Sequence, residues 1–366
     1  MEGLLILLVI AASVQIFYYL FFFIRVATHK PSEAGQELPP VSVVICARNE
    51  AAQLEKNLHT ILEQEYPQFE VVVVNDNSED DTAMLLQRIA MTFPTLQIRH
   101  LVQHSHIMKG KKYPLTVGIR AARYECILVT DTDCVPSSKM WILHMAGILT
   151  GKKEIVLGYS PYKKYKSFLN KFIRYETFMT ALQYLSFALC GCTYMGIGRN
   201  MAYYKSLFFH HNMFIKYPHL LSGDDDLLIN KAATSKNVTV QIDKNSFVYS
   251  EPKKNWDEYW AQKRRHVSTA IYYKFQHQLL LALFSFSHLL FYVFFLLVIL
   301  YTDYQLQAIM ILATRLIIQA LVLSPSMKKL CEHDLFWYFP ILDILLLFYY
   351  FKLLPGVLQT KPEAWR

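Results

Sequence analysis

The sequence predicts an α/β domain with a mostly parallel sheet, set between hydrophobic ends, on three observations. Short apolar, β-branched runs alternate with helical patterns through residues 41–135. The runs are apolar throughout rather than at every second position, as strands covered on both faces require. The composition is 53% hydrophobic, and the excess over an ordinary globular chain is concentrated outside residues 29–274.

The elements follow in order. After the Pro39-Pro40 break, VSVVIC (41–46) reads as a strand, with a helical pattern continuing to Gln64. FEVVVVND (69–76) repeats the strand, residues 80–90 the helix, and LQIRHL (96–101) a third strand; residues 111–122 read as a helix and ECILVTDTD (125–133) as a fourth strand. In such sheets ligands sit beyond the carboxyl ends of the strands. Those ends carry Arg48, Asn49 and Glu50, then Asp76, then Asp131 and Asp133. No GxGxxG follows the first strand, which argues against a dinucleotide-binding dehydrogenase.

The ends read as membrane segments. Residues 4–24 supply the apolar length that a bilayer core demands, with Arg25, His29 and Lys30 following and only Glu2 preceding. That charge order predicts an uncleaved anchor in the cell membrane with the following domain in the cytoplasm. Further candidate spans cover 279–300, 305–323 and 335–354, the first two reading as a hairpin that returns Lys328 and Lys329 to the cytoplasmic side. Pro340 and Asp343 leave the third open between a crossing and an interfacial lie.

The formal charge of +8 is spread along the chain, and no zinc-finger or helix-turn-helix pattern accompanies it. Diphosphate substrates and an anionic membrane surface suit it better than nucleic acid. The six cysteines show no metal spacing and read as free thiols of a reducing compartment.

Four runs, VSVVICARNEAAQLEKNLHTILEQEYP, VVVVNDNSEDDT, KGKKYPLTVGI and LVTDTDCVP, are followed later by GDDDLL. In this order and spacing they resemble the signatures of membrane-bound bacterial family 2 glycosyltransferases with the GT-A fold, across residues 41–274. The resemblance implies an anchor (1–28), a catalytic domain (29–274, donor half 41–135, acceptor half 136–274) and a C-terminal membrane region (275–366). It implies an inverting, metal-dependent transfer from a nucleotide-sugar, UDP-linked by the family's habit, to a membrane-associated glycan or lipid-linked acceptor. Asp133 would ligate Mn2+ or Mg2+ directly, and Asp131 would touch the metal through water or the ribose. Asp76 would read the base, Arg48 and Glu50 would lie near ribose and base, and Lys111 and Arg265 would hold the diphosphate. Asp224, or Asp225 by a one-residue shift, would be the catalytic base, and Asn200 of GIGRNMAYYK an acceptor contact.

Each motif also has a purely structural reading. Asp131-Thr132-Asp133 and Asp76 suit turns, Glu50 a first helical turn and the three aspartates 224–226 a helix cap, and Lys109, Lys111 and Lys112 a solvated loop. In Gln262-Lys263-Arg264-Arg265-His266, His266 departs from the tryptophan of the resembled family, and Lys263 and Arg264 suit lipid headgroups. Trp256, Tyr259, Trp260, Tyr272 and Tyr273 suit an interfacial helix. Two alternatives stand beside the main expectation. One is sugar transfer to polyprenyl phosphate, which needs no base; the other is a transporter component or scaffold, against which the intact acidic set argues.

Overall fold

The computed structural model describes residues 2–102, 110–211, 220 and 222–358; Lys109, Lys361 and Arg366 lie outside them. An apolar helix enters at α1 (Glu2–Phe17), continues through one wide turn and ends in α2 (Ile24–Thr28). Strands β1 (Val41–Ala47), β2 (Phe69–Asp76) and β3 (Leu96–Leu101) alternate with α3 (Ala51–Leu62), α4 (Thr82–Thr92) and α5 (Lys112–Ala121). Then come β4 (Cys126–Val129), β5 (Cys134–Pro136), α6 (Trp141–Ala146), β6 (Ile155–Leu157), α7 (Phe168–Leu189), β7 (Met201–Tyr204) and α8 (Lys205–His211). The last soluble elements are α9 (Asp226–Ala232), β8 (Val238–Val240), β9 (Val248–Ser250) and α10 (Trp256–Val267). Helices α11 (Phe275–Tyr301), α12 (Gln305–Lys329) and α13 (Phe339–Leu358) complete the chain.

Seven strands form one sheet in the order β3-β2-β1-β4-β7-β6-β8, parallel among β1 to β4, with β7 antiparallel to both of its neighbours. The mostly parallel α/β architecture is therefore the one the sequence predicts. Every residue of β1 and β4 is buried, because helices cover both faces. One correction matters for the site. The fourth strand ends at Val129, not at Asp133, because the chain turns through 130–133 and Cys134–Pro136 pairs instead with β9. Asp131 and Asp133 thus sit on a turn, where side chains two apart need not share a side.

Among the described residues four helical segments are long and apolar enough to cross a membrane: Glu2–Thr28, Phe275–Tyr301, Gln305–Lys329 and His333–Leu353. The α11–α12 hairpin brings Lys329 back to the end of the N-terminal helix, where its ammonium meets the His29 carbonyl at 2.5 Å. Asp343 faces the bundle interior and pairs with Arg315 at 3.0 Å and His288 at 3.1 Å, as an ionisable group in an apolar bundle must. Helix α13 stays against the soluble domain. Before it begins, Glu332 and Asp334 pair with Arg174 of α7, and farther on the Tyr349 hydroxyl donates to Glu176 of α7 at 3.1 Å.

Candidate active site

The site begins where β1 ends. Asn49 adopts φ 54°, which turns the chain sharply after the strand, and the β1 and β2 loops are then stitched together. The Asn49 amide donates to Ser78 Oγ (2.9 Å), the Glu50 amide to Thr82 Oγ1 (3.0 Å), and the Glu79 amide to Asn49 Oδ1 (2.8 Å). Glu50 precedes α3 but makes no side-chain cap. Its carboxyl instead faces the acids of the next loop; burial first, then Asp133, push its pKa above the ordinary value. Asp76 closes β2 and is buried.

Cys46, buried at the end of β1, marks the centre. Burial raises its thiol pKa, and Lys111, Asp131, Asp224 and Asp76 all act on it electrostatically. Three of the residues expected at the site, Lys111, Asp131 and Asp224, gather with Cys46 at the carboxyl edge of the sheet. Lys111, at the mouth of α5, donates to Asp131 Oδ1 at 2.7 Å. Burial opposes ionisation of Asp131, but Lys111, with Arg199 and Arg265 beyond it, more than offsets this and holds the carboxyl below its usual range. Asp133 receives Ser250 Oγ at 2.9 Å on one oxygen and the Cys134 thiol on the other.

A cavity of about 330 Å³ lies against this edge, with Lys111, Asp131, Arg199, Asp224, Arg265 and His266 in its wall. Burial and the cations Lys263, Arg265, Arg199 and Lys111 lower the His266 pKa well below its ordinary value. The cavity extends to α7 and α13, where Glu176, Thr177 and Tyr349 line it.

The three aspartates divide their tasks. Asp225 is the N-cap of α9: its carboxylate accepts the Asp226 amide at 2.8 Å and the Gly198 amide at 2.6 Å. Burial, Asp224 and Asp226 push its pKa up to about 8. Asp226 accepts from Thr269 Oγ1 and from the Tyr273 hydroxyl (2.7 Å), tying α9 to the segment ahead of α11. Asp224 stands outside the helix, and it lines the cavity together with Asp225 and Asp226. The cap is thus real, and it falls on Asp225, the second of the two residues expected as base. Gly223 has φ +97°, and a Cβ there would meet Leu227 Cδ1 at 2.7 Å. A side chain at this position, where the resembled family carries an acid, is strained by the positive φ and crowds Leu227.

Three expectations are corrected. Asn200 is fully buried: its Nδ2 donates to the carbonyls of Tyr159 and Ser246 (both 2.8 Å), and its Oδ1 accepts Trp141 Nε1 (3.0 Å), so it is a wall support rather than an acceptor contact. Lys263 does not reach headgroups but pairs with buried Glu176 at 2.5 Å. Tyr259 and Trp260 are buried against α7 and α13 rather than set in an interface, with Trp256 half-exposed beside Trp260.

Arg199 was not singled out by sequence reasoning. Its guanidinium lies 4.6 Å from the centre of the Tyr162 ring and donates through Nη2 to Ser160 O at 3.3 Å. Nη1 is buried and finds no partner among the described residues. The signal was available: a cation inside GIGRN, a run otherwise made of turn-forming and apolar residues.

The comparisons with known proteins agree on the class. A 28% identical match covers 149 residues of the "probable glycosyltransferase YdaM" of Bacillus subtilis, 40% of this chain and 35% of that protein. The beta-monoglucosyldiacylglycerol synthase of Trichormus variabilis is 31% identical over 127 residues, 34% of this chain and 26% of that one. The chain thus spans about a quarter to a third of the length of these relatives. A mannosyltransferase from Pyrobaculum calidifontis, solved with GDP-Man and Mn2+, superposes with a TM-score of 0.58 at 20% identity, covering 95% of this chain and 99% of that one, and shares the fold. The motifs resemble family 2, whereas the family model that matches, over residues 4–356, is that of glycosyl transferase family 21. The chain belongs to glycosyl transferase family 21.

Proposed function

We propose that the chain transfers a sugar, with inversion, from a nucleoside-diphosphate donor to a hydroxyl of a membrane-associated lipid or glycan. The observation that carries this reading is the convergence of Lys111, Asp131, Arg199, Asp224 and Arg265 on one cavity at the carboxyl edge of a parallel sheet. Asp76 reads the nucleobase from the end of β2, with Arg48 and Glu50 beside the ribose. Lys111, Arg199 and Arg265 hold the diphosphate, whose negative charge grows as its oxygen leaves the anomeric carbon. Asp224 accepts the proton of the acceptor hydroxyl as the new carbon–oxygen bond forms on the opposite face.

The acids also fit a divalent cation. The charges of Asp133 and Asp131 raise the Glu50 pKa, and hard oxygen donors suit Mn2+ or Mg2+. Among the described residues no three His, Cys, Asp or Glu side chains form a complete cage, so phosphate oxygens of the donor would have to complete the coordination of such a cation. Such an ion would neutralise charge on the leaving diphosphate. Asp133 and Asp131 would hold it. The Mn2+ in the GDP-Man complex of the Pyrobaculum mannosyltransferase is in keeping with this.

The membrane-facing wall supports a lipid-associated acceptor, since Tyr349 of apolar α13 borders the cavity, and the synthase relative is named for a glycolipid. Arg25, His29 and Lys30 favour a catalytic domain on the cytoplasmic face of the cell membrane, with α1–α2, α11 and α12 crossing and α13 packed between α7 and this bundle, where Asp343 meets Arg315 and His288. The test is release of nucleoside diphosphate from UDP- and GDP-sugars by the full chain in native membranes, with Mn2+ or Mg2+ and a chelator control. Turnover lost in D224N and D133A supports the assignment; turnover retained in both rejects it.

A further inference from the structure

Lys111 and Lys112 are consecutive at the start of α5, and a helix sets neighbouring side chains about 100° apart. Lys111 turns to Asp131. Lys112 turns the other way: it is 1% exposed, and its ammonium donates to the carbonyl oxygens of Leu220 (2.5 Å) and Ser222 (2.6 Å). These carbonyls stand immediately before Gly223 and Asp224.

Carbonyls accept hydrogen bonds from a buried ammonium but carry no net charge to balance it. Removing such a charge from water is costly, and an apolar side chain of similar length fills the same space without that cost. Burial accordingly lowers the Lys112 pKa, with Asp224, Asp226 and Asp225 acting in the opposite sense. What the charge provides in return is two charge-assisted hydrogen bonds, stronger than neutral ones, and both go to the backbone that leads into Asp224. On the other side of Asp224 the chain is fixed again, by Thr269 and Tyr273 on Asp226.

We propose that Lys112 is a positioning residue that couples the donor loop to the catalytic base. By holding residues 220 and 222 against α5, it sets Asp224 relative to the lysine that precedes it in sequence and faces the donor acids. The inference rests on the proposed reading of Asp224 as base and Asp131 as part of the donor site. Lys112 itself does not line the cavity, so its effect passes through backbone position. Misplacing a catalytic group by about 1 Å costs about 100-fold in rate.

The test compares the full-length wild type, K112M and K112R in lipid nanodiscs by amide hydrogen exchange and steady-state transfer. In K112M, exchange at residues 223–229 accelerates while β1 and β2 stay protected; kcat falls about 10- to 100-fold, and the donor KM stays within about twofold. K112R restores most of both. K112Q, which keeps one donor without the charge, carries the same comparison if K112M fails to fold. Unchanged exchange at 223–229 overturns the coupling whether or not any donor is turned over, as does a loss confined to KM. A wild type that shows no transfer sinks the function proposed above, and the exchange result still decides the role of Lys112.

Discussion

Lys263 of α10 and Glu176 of α7 form an ion pair at 2.5 Å, with side chains 10% and 4% exposed. The Tyr259 and Tyr349 hydroxyls (3.3 and 3.1 Å) and Thr180 Oγ1 (3.1 Å) complete the shell of Glu176. Three helices are thus joined at one buried carboxylate. Breaking such a pair from one side leaves an uncompensated charge, so K263M should lower stability by about 3–5 kcal/mol. Adding E176L should recover most of the loss. Thermal unfolding of the single and double variants in detergent checks this, and a K263M as stable as wild type contradicts it.

Removing the Lys111 ammonium takes away a cation that faces both Asp131 and Asp224. K111M should weaken binding of nucleoside diphosphate by about tenfold or more, the scale of a lost charge-assisted contact. Calorimetric titration with UDP and GDP measures it, alongside K112M, whose affinity should remain near that of wild type.

At Gly223 the positive φ and the approach of Leu227 act together. G223A should destabilise the α9 start by about 1–3 kcal/mol and reduce turnover with it. G223E, which supplies the acid of the resembled family, should do worse. Activity in G223E equal to wild type would mean that the loop rearranges freely.

Asp225 gives a pH dependence of definite sign. Its folded-state pKa, pushed up to about 8, lies above the unfolded value near 3.8. The folded chain therefore holds the extra proton between these values, and stability from this group falls as pH rises through that window. The ionised state is the unfavourable one in the fold. D225N removes the titration, so its melting temperature relative to wild type should rise by a few degrees from pH 5 to pH 8. The hydrogen bond it forfeits at the cap sets a constant offset and leaves the slope intact. Equal slopes for the two proteins would refute the assignment.

Much of this was legible in the chain. Strand and helix periods are local, so the order of elements, the mostly parallel sheet and the positions of Arg48, Glu50 and Asp76 at strand ends followed from the pattern, whereas Asp131 and Asp133 fell on a turn beyond β4. The charge beside the first apolar segment and the polar break between the next two were equally local.

What local pattern does not contain is the partner of each side chain. Lys112 meets a carbonyl 108 positions away, Asn200 is consumed by Trp141 and Ser246, and the Lys263 head turns inward because Glu176 of α7 is there. Arg199 acquires its role only when β7 and α9 bring it beside Asp131. Sequence determined which residue types stand at the edge of the sheet. Tertiary packing decided which of them cap, which support and which face the cavity, because desolvation and hydrogen-bond geometry depend on neighbours that the chain brings together only by folding.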